Sequence, residues 1–338
     1  MTKMTRIALA ALAVMGATSA MAQSSVTLYG RLNTTIENQK ISGQSSVTGM
    51  VNNSSRFGFR GTEDLGGGLK AGFVLENGFN SDTGTVGSAF FGRQSELNLS
   101  GNFGMIRLGN FFPESYFASA DYASMHNHDT GPSSDALYLD PVWNSKVGTV
   151  NKVAYRMPSM GGFWAEGAVV LNEKAAGTAN KNGYDLAANY NNGPLALGAG
   201  YSSWNSNWQA SLRAAYTLGQ FTVAGYYQRN KDDNQVAATG AGSRNNFRLS
   251  AMYTMGASEF HANVGHANKW SHIADSAATQ WTLGYNYNLS KRTKLYTYYT
   301  RINNQNGTSY QASGMIDSLK AGNGKDFSSF ALGVRHNF

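Results

Sequence analysis

No cysteine occurs among the 338 residues, which excludes a disulfide scaffold, a thiolate metal centre and a cysteine nucleophile. Charge is scarce. Asp, Glu, Lys and Arg make up 14%, well below the roughly 25% of an average soluble domain. Proline is rare, at 5 residues. Past the first 22 residues there is no apolar run of about 18, so no spanning helix is expected there, and the mean hydropathy of −0.36 does not fit a helical membrane protein. What is abundant is aromatic and small: 18 Tyr, 17 Phe and 39 Gly. Few charges with many aromatics argue against disorder, and the glycines keep no fixed period, which excludes collagen. The remaining class is an all-β chain with many turns and an aromatic surface.

The start of the chain differs from the rest. Lys3 and Arg6 precede an apolar stretch, Ile7 to Met15, and Ala20-Met21-Ala22 offers a small-x-small cleavage site before Gln23. This pattern is a secretory signal peptide over 1–22, too short to span a bilayer core of about 30 Å. It leaves a mature chain of 23–338 outside the cytoplasm. Removing Lys3 and Arg6 from the 27 basic residues leaves 25 against 20 acidic, a mild net +5. No Lys/Arg block stands out, so no nucleic-acid partner is expected.

Along the mature chain the pattern has period two. Val26, Leu28, Gly30 and Leu32 alternate with Thr27, Tyr29, Arg31 and Asn33; Trp281, Leu283, Tyr285 and Tyr287 alternate with Thr282, Gly284, Asn286 and Asn288. Each such strand has one apolar and one polar face. The segments run about 9–13 residues, against about 5–6 for an ordinary globular strand, and a tilted membrane-crossing strand needs about 9–11. Sixteen strands are predicted, near 25–37, 55–65, 69–80, 90–101, 105–112, 150–158, 163–173, 183–191, 194–204, 207–218, 221–232, 245–256, 259–270, 278–289, 293–303 and 326–338. Short turns such as Gly101 to Gly104 and Leu218 to Gln220 alternate with long polar stretches such as Lys40 to Asn53 and Asn303 to Lys325. That layout is a 16-stranded antiparallel transmembrane β-barrel, closed because no backbone amide can face lipid unpaired. A soluble sandwich accounts for the alternation but not for the strand length or the terminal aromatic, Phe338.

One connector breaks the pattern, from Pro113 to about Thr149. It carries Glu114, Asp121, Asp129, Asp135 and Asp140, with no Lys or Arg before Lys146. Its Tyr116, Phe117, Tyr122, Tyr138 and Trp143 suit burial better than disorder. A barrel of this size leaves a water-filled lumen, so the third loop is expected to fold inward and set carboxylates at a constriction. By parity, Arg31, Arg56, Arg60, Arg107, Lys152, Arg156, Arg213, Arg248 and Arg335 face the lumen. An acidic loop opposite a basic wall would set a transverse field across the pore, and oriented charge is how pores sort ions. Arg93 breaks parity, sharing a face with Leu97 and Leu99; a bulge or a place above the apolar band would account for it.

The stretch Ser55-Arg56-Phe57-Gly58-Phe59-Arg60-Gly61-Thr62-Glu63-Asp64-Leu65-Gly66-Gly67-Gly68-Leu69-Lys70-Ala71-Gly72 closely resembles the second hairpin of the trimeric general porins of β-proteobacteria. Ser25 to Gly30, Arg107-Leu108-Gly109, Leu289 to Thr293 and the terminal Gly333-Val334-Arg335-His336-Asn337-Phe338 resemble the same family. The resemblance spans the mature chain. It implies a homotrimer in outer-membrane lipid and lipopolysaccharide, inserted by the barrel-assembly machinery through C-terminal Phe338. It also implies passive diffusion of ions and small hydrophilic solutes. Arg56 and Arg93 look like positions of the family's constriction arginines, whose cluster often gives anion preference. The usual basic residue after the third loop falls near Gly148, leaving its role open to Lys146, Lys152 or Arg156, and the acidic third loop departs from the family pattern.

Other motifs carry little. His126-x-His128-Asp129 holds metal-ligand types without a supporting set. Gly66-Gly67-Gly68-Leu69-Lys70-Ala71 mimics a dinucleotide fingerprint but opens no helix, and no G-x-S-x-G element occurs. His261 has no evident nucleophile beside it. No enzyme, cofactor or metal is expected. The leading function is a general diffusion porin; the alternatives are a substrate-selective porin with an aromatic track on the third loop, and a structural or adhesive barrel.

Overall fold

A computed structural model describes residues 25–121, 123, 133–144, 149–173, 181–233 and 240–338. The expected leader and its cleavage point lie outside the described residues. So do Tyr122, His126, His128, Asp129, Lys146 and Gly148.

The strands are β1 Ser25–Ile41, β2 Val47–Asn52, β3 Arg56–Gly66, β4 Leu69–Gly78, β5 Gln94–Gly101, β6 Gly104–Asn110, β7 Lys152–Arg156, β8 Phe163–Val170 and β9 Gly183–Asn192. They continue as β10 Leu195–Trp204, β11 Asn207–Leu218, β12 Phe221–Asp232, β13 Gly242–Met255, β14 Ser258–Ala267, β15 Ala278–Asn288, β16 Thr293–Asn304 and β17 Phe327–Asn337. A single helical turn and a half, α1 Glu114–Ser119, lies in the connector after β6. β1 pairs antiparallel with both β2 and β3, each strand from β3 on pairs antiparallel with the next, and β17 returns to β1 from Arg31↔Asn337 to Ile41↔Phe327. Closure is completed by the last residue: Gly30 and Phe338 exchange N–H···O=C bonds of 3.0 Å in both directions.

β2 and β3 are two halves of one stave, so the seventeen segments make a barrel of sixteen. Against β1 the register changes by one residue between Thr34↔Asn52 and Arg31↔Arg56. The bulge is centred on Ser54, at φ 57°, and is tied down by Asn53 N–H to the Asn33 carbonyl (2.9 Å) and by Ser55 Oγ to that same carbonyl (3.2 Å). One extra residue reverses parity. It turns Arg56 and Arg60 to the same face as Arg31.

The faces are inverted relative to a soluble protein. Leu28, Leu212, Leu249 and Leu332 are 57%, 64%, 60% and 56% exposed, while Asn33, Gln209, Gln228 and Thr300 are 0% exposed. Apolar side chains outside and polar ones inside are what lipid and a hydrated interior select. Among the described residues no helix is long and apolar enough to cross a membrane.

Several predicted limits move. β1 runs four residues past 37, and β2 occupies ground expected to be loop. There the outward face mixes Asn38, Lys40 and Thr48 with Ile36 and Met50, so no clean hydropathy alternation marks it. β5 begins at Gln94 rather than 90, β6 ends at Asn110, β7 shrinks to Lys152–Arg156 and β8 ends at Val170.

Candidate functional site

Among the described residues, charge on the polar face gathers into two larger groups, with the Asp135–Arg248 pair apart from both. The first centres on Glu76 of β4. Its Oε1 lies 2.7 Å from Arg93 Nε and 3.9 Å from Arg56 Nε, and its Oε2 accepts the Tyr29 hydroxyl at 3.1 Å. Arg60 lies over the Tyr29 ring at 5.2 Å and Arg93 over the Phe112 ring at 5.3 Å. Arg93 escapes its parity difficulty because it precedes β5 and is not bound by strand alternation. Arg31 stands opposite Arg56 in the β1–β3 ladder and gives its Nε proton to Asn337 Oδ1 at 3.0 Å. Next to it, Lys294 stands opposite Arg335. Like charges directly opposite each other are unfavourable in a sheet, so neither pair is explained by stability.

The second group lies on β5 to β8. Arg107 meets Glu96 at 2.8 Å and Glu166 at 2.9 Å, and its guanidinium sits 4.0 Å from the Phe111 ring centroid. Arg156 bridges Glu166 (2.8 Å) and Glu114 (2.6 Å) and covers the Trp164 ring at 4.5 Å. Lys152 is buried and donates to the Phe111 carbonyl at 2.6 Å. Glu76, Glu96, Glu166 and Lys294 were not singled out from sequence; each lies on the polar face of a strand whose parity was already readable.

The connector lies against that polar face. Pro113, at φ −64°, starts α1 without a side-chain cap. The wall supplies one instead: Asp185 of β9 accepts Ser115 N–H at 3.1 Å and also the Ser115 hydroxyl. Gly198 and Gly200 of β10 let the helix backbone approach; a Cβ on Gly198 would stand 1.8 Å from the Ala118 carbonyl oxygen and one on Gly200 2.7 Å from that of Ser115. Farther on, side-chain amides hold residues 134–139 much as a neighbouring strand would. Gln280 Nε2 donates to the Ser134 carbonyl (2.8 Å), Gln280 Oε1 accepts Ala136 N–H (3.0 Å), Asn246 Nδ2 donates to the Leu137 carbonyl (2.6 Å) and Gln228 Nε2 to that of Leu139 (2.8 Å).

The described acidic residues of the connector are held in two ways, Glu114 and Asp135 by wall side chains and Asp121 and Asp140 by groups of the connector itself. Glu114 pairs with Arg156. Asp121 is buried and accepts the Tyr116 hydroxyl at 3.0 Å. Asp135 lies 3.0 Å from Arg248 Nε and accepts the Tyr226 hydroxyl. Asp140 accepts the N–H groups of Val142 and Trp143 at 2.9 and 3.1 Å. Arg213 approaches Asn189 Oδ1 at 3.5 Å, behind α1. Burial pushes the Glu114 carboxyl up to about 7; Arg156 and Arg107 pull it down, Glu166 and Asp185 push it up. Asp140 is also raised, by burial first, against its two backbone hydrogen bonds and Lys152.

The family model for Gram-negative porins matches residues 8–307. Outer membrane porin protein 32 of Delftia acidovorans is 33% identical over 367 residues, covering 99% of this chain and 100% of its own. An outer membrane porin protein of Bordetella pertussis is 30% identical over 387 residues, covering 95% and 96%. Among solved structures, an anion-selective porin from Comamonas acidovorans superposes with a TM-score of 0.74 at 29% identity, covering 94% of this chain and all of that one. The trimer form of OmpT of Vibrio cholerae, at 17% identity and a TM-score of 0.66 over 93% and 99%, shares the fold. The closed sixteen-stave barrel, its inverted faces and these matches agree: the chain belongs to the Gram-negative porin family.

Proposed function

We propose that the chain is a general diffusion porin whose connector, from Pro113 to about Thr149, narrows the lumen and leaves a basic passage beside it. The chain is an outer-membrane channel protein, not an enzyme. The observation that carries the finer reading is the division of charge. The connector's described carboxylates are tied to Arg156, Tyr116, Arg248 and backbone amides, on the side of β7 to β15. Arg31, Arg56, Arg60 and Arg93 gather around Glu76, on β1 and β3 and just before β5. A hydrated passage between the two is bordered by net positive charge, and lumen charge of one sign favours counter-ions. The reading is therefore a weak preference for anions, with passage of small hydrophilic solutes. Assembly as a homotrimer follows the family resemblance, with lipid and lipopolysaccharide around the apolar band and with Phe338 as the mark read by the barrel-assembly machinery.

Planar-bilayer recording tests this reading. Purified protein in KCl is expected to insert as ohmic steps in multiples of three. A folded, inserted sample without steps would mean a plugged barrel.

A further inference from the structure

A cavity of about 520 Å³ lies where the connector faces the β2–β3 bulge and the long connector 305–326. That volume falls in the range of about 300–1,000 Å³ typical of small-molecule sites. One wall is aromatic: Tyr116, Tyr138 and Trp143, with Tyr116 5.7 Å from Tyr138 and 5.0 Å from Trp143 between ring centroids. The other wall is polar and uncharged, made by Asn52, Asn53 and Ser54 of the bulge and by Gln311 and Ser313. No Lys or Arg is among its lining residues. Its two carboxylates face other partners, Asp135 toward Arg248 and Asp140 toward the Val142 and Trp143 amides. Gln311 Oε1 is buried there with no hydrogen-bond partner among the described residues.

This combination selects a ligand class. Aromatic faces pack the C–H surface of a ring. Carboxamides and hydroxyls both donate and accept, as sugar hydroxyls require. The absence of lining cations removes any advantage for an anion. Resting on the open-pore reading above, we propose that this cavity is a binding subsite for neutral polyhydroxylated solutes, a mono- or short oligosaccharide seated on Trp143 and hydrogen-bonded to the Gln311 carboxamide.

The test uses maltotriose as probe, with a polyethylene glycol of matched hydrodynamic size as control, on the purified full-length barrel in a planar bilayer. Maltotriose is expected to lower KCl conductance along a saturating curve, and the glycol along a non-saturating one. Trp143→Ala is expected to raise the half-blocking concentration about threefold to tenfold, and Trp143→Phe by less, since the smaller ring still offers a stacking face. Gln311→Ala is expected to raise it about threefold to tenfold. Each curve is normalised to that variant's own conductance in KCl. Tryptophan fluorescence titration of detergent-solubilised protein with maltotriose reads the site without conduction. A saturable signal from protein that gives no KCl steps would keep the subsite and remove the open pore. Identical curves for sugar and glycol, or half-blocking concentrations unchanged in all three variants, would overturn the subsite and leave the pore standing.

Discussion

Arg31 and Arg56 stand opposite each other in a ladder where like charges weaken pairing, and the bulge at Ser54 is what brings Arg56 round to meet Arg31. A pair disfavoured by local energetics and placed by a specific backbone device points to a role in the lumen field. Arg56→Ala is expected to shift the chloride-to-potassium permeability ratio toward potassium without loss of folded barrel; an unchanged ratio would remove Arg56 from the ion path. Glu114 gives the pH dependence. With its carboxyl pushed up to about 7, it is mostly ionised at pH 8 and mostly neutral at pH 6. Acidification removes a negative charge beside Arg156 and Arg107, so anion preference is expected to rise as pH falls through 7, and Glu114→Gln is expected to flatten that step. A wild-type ratio constant between pH 6 and pH 8 would contradict the assignment. Arg93 shows what residue-level parity cannot reach. Its place beside Glu76 follows from where β5 begins, and strand ends are set by pairing rather than by the identity of the residue.

Among the elements, the strands were readable because lipid outside and water inside impose opposite demands on alternate residues. Where that contrast fades, so did the signal. β2 is only six residues long and turns both Thr48 and Met50 outward, so its alternation is too short and too mixed to stand out from the polar stretch around it. The connector stood out by its length, aromatics and acidic residues, but where each carboxylate goes did not: Glu114 and Asp135 pair with wall arginines, Asp121 and Asp140 with groups of the connector itself. The residues that receive it, Asp185, Gln228, Asn246 and Gln280, read as ordinary lumen polarity, because a hydrogen bond between side chains and a segment 70 to 146 positions away leaves no local pattern. Gly198 did leave a trace. Small residues alternate with Leu197 and Ala199, and the helix needs that space. Gly198→Val sets a side chain into the Ala118 carbonyl. By overpacking it is expected to cost about 1–3 kcal/mol, displace α1 and change single-channel conductance, while barrel circular dichroism stays as in the wild type. Unaltered conductance with folded protein would place α1 away from the conducting path.

On the scale of the whole molecule, closure joins the two ends of the described chain. Phe338 exchanges two backbone hydrogen bonds with Gly30, and its ring fills the space over that glycine, where a Cβ would stand 2.3 Å from the Phe338 Cζ. Removing Phe338 leaves a break in the seam at the short-turn rim. Refolding from urea into detergent is expected to give a lower folded fraction for the deletion than for wild type, and equal yields would show that the seam does not need it. The central claim concerns the field inside the closed barrel, where basic residues on β1, β3 and β17 face a connector whose described carboxylates are already held. The most direct measurement is the zero-current potential of the purified protein in a planar bilayer under a KCl gradient near pH 6. A potential with the sign of chloride permeability exceeding that of potassium, of moderate size and reduced by Arg56→Ala, is the predicted result. A potential of the opposite sign would mean that the carboxylates, and not the arginines, govern the passage.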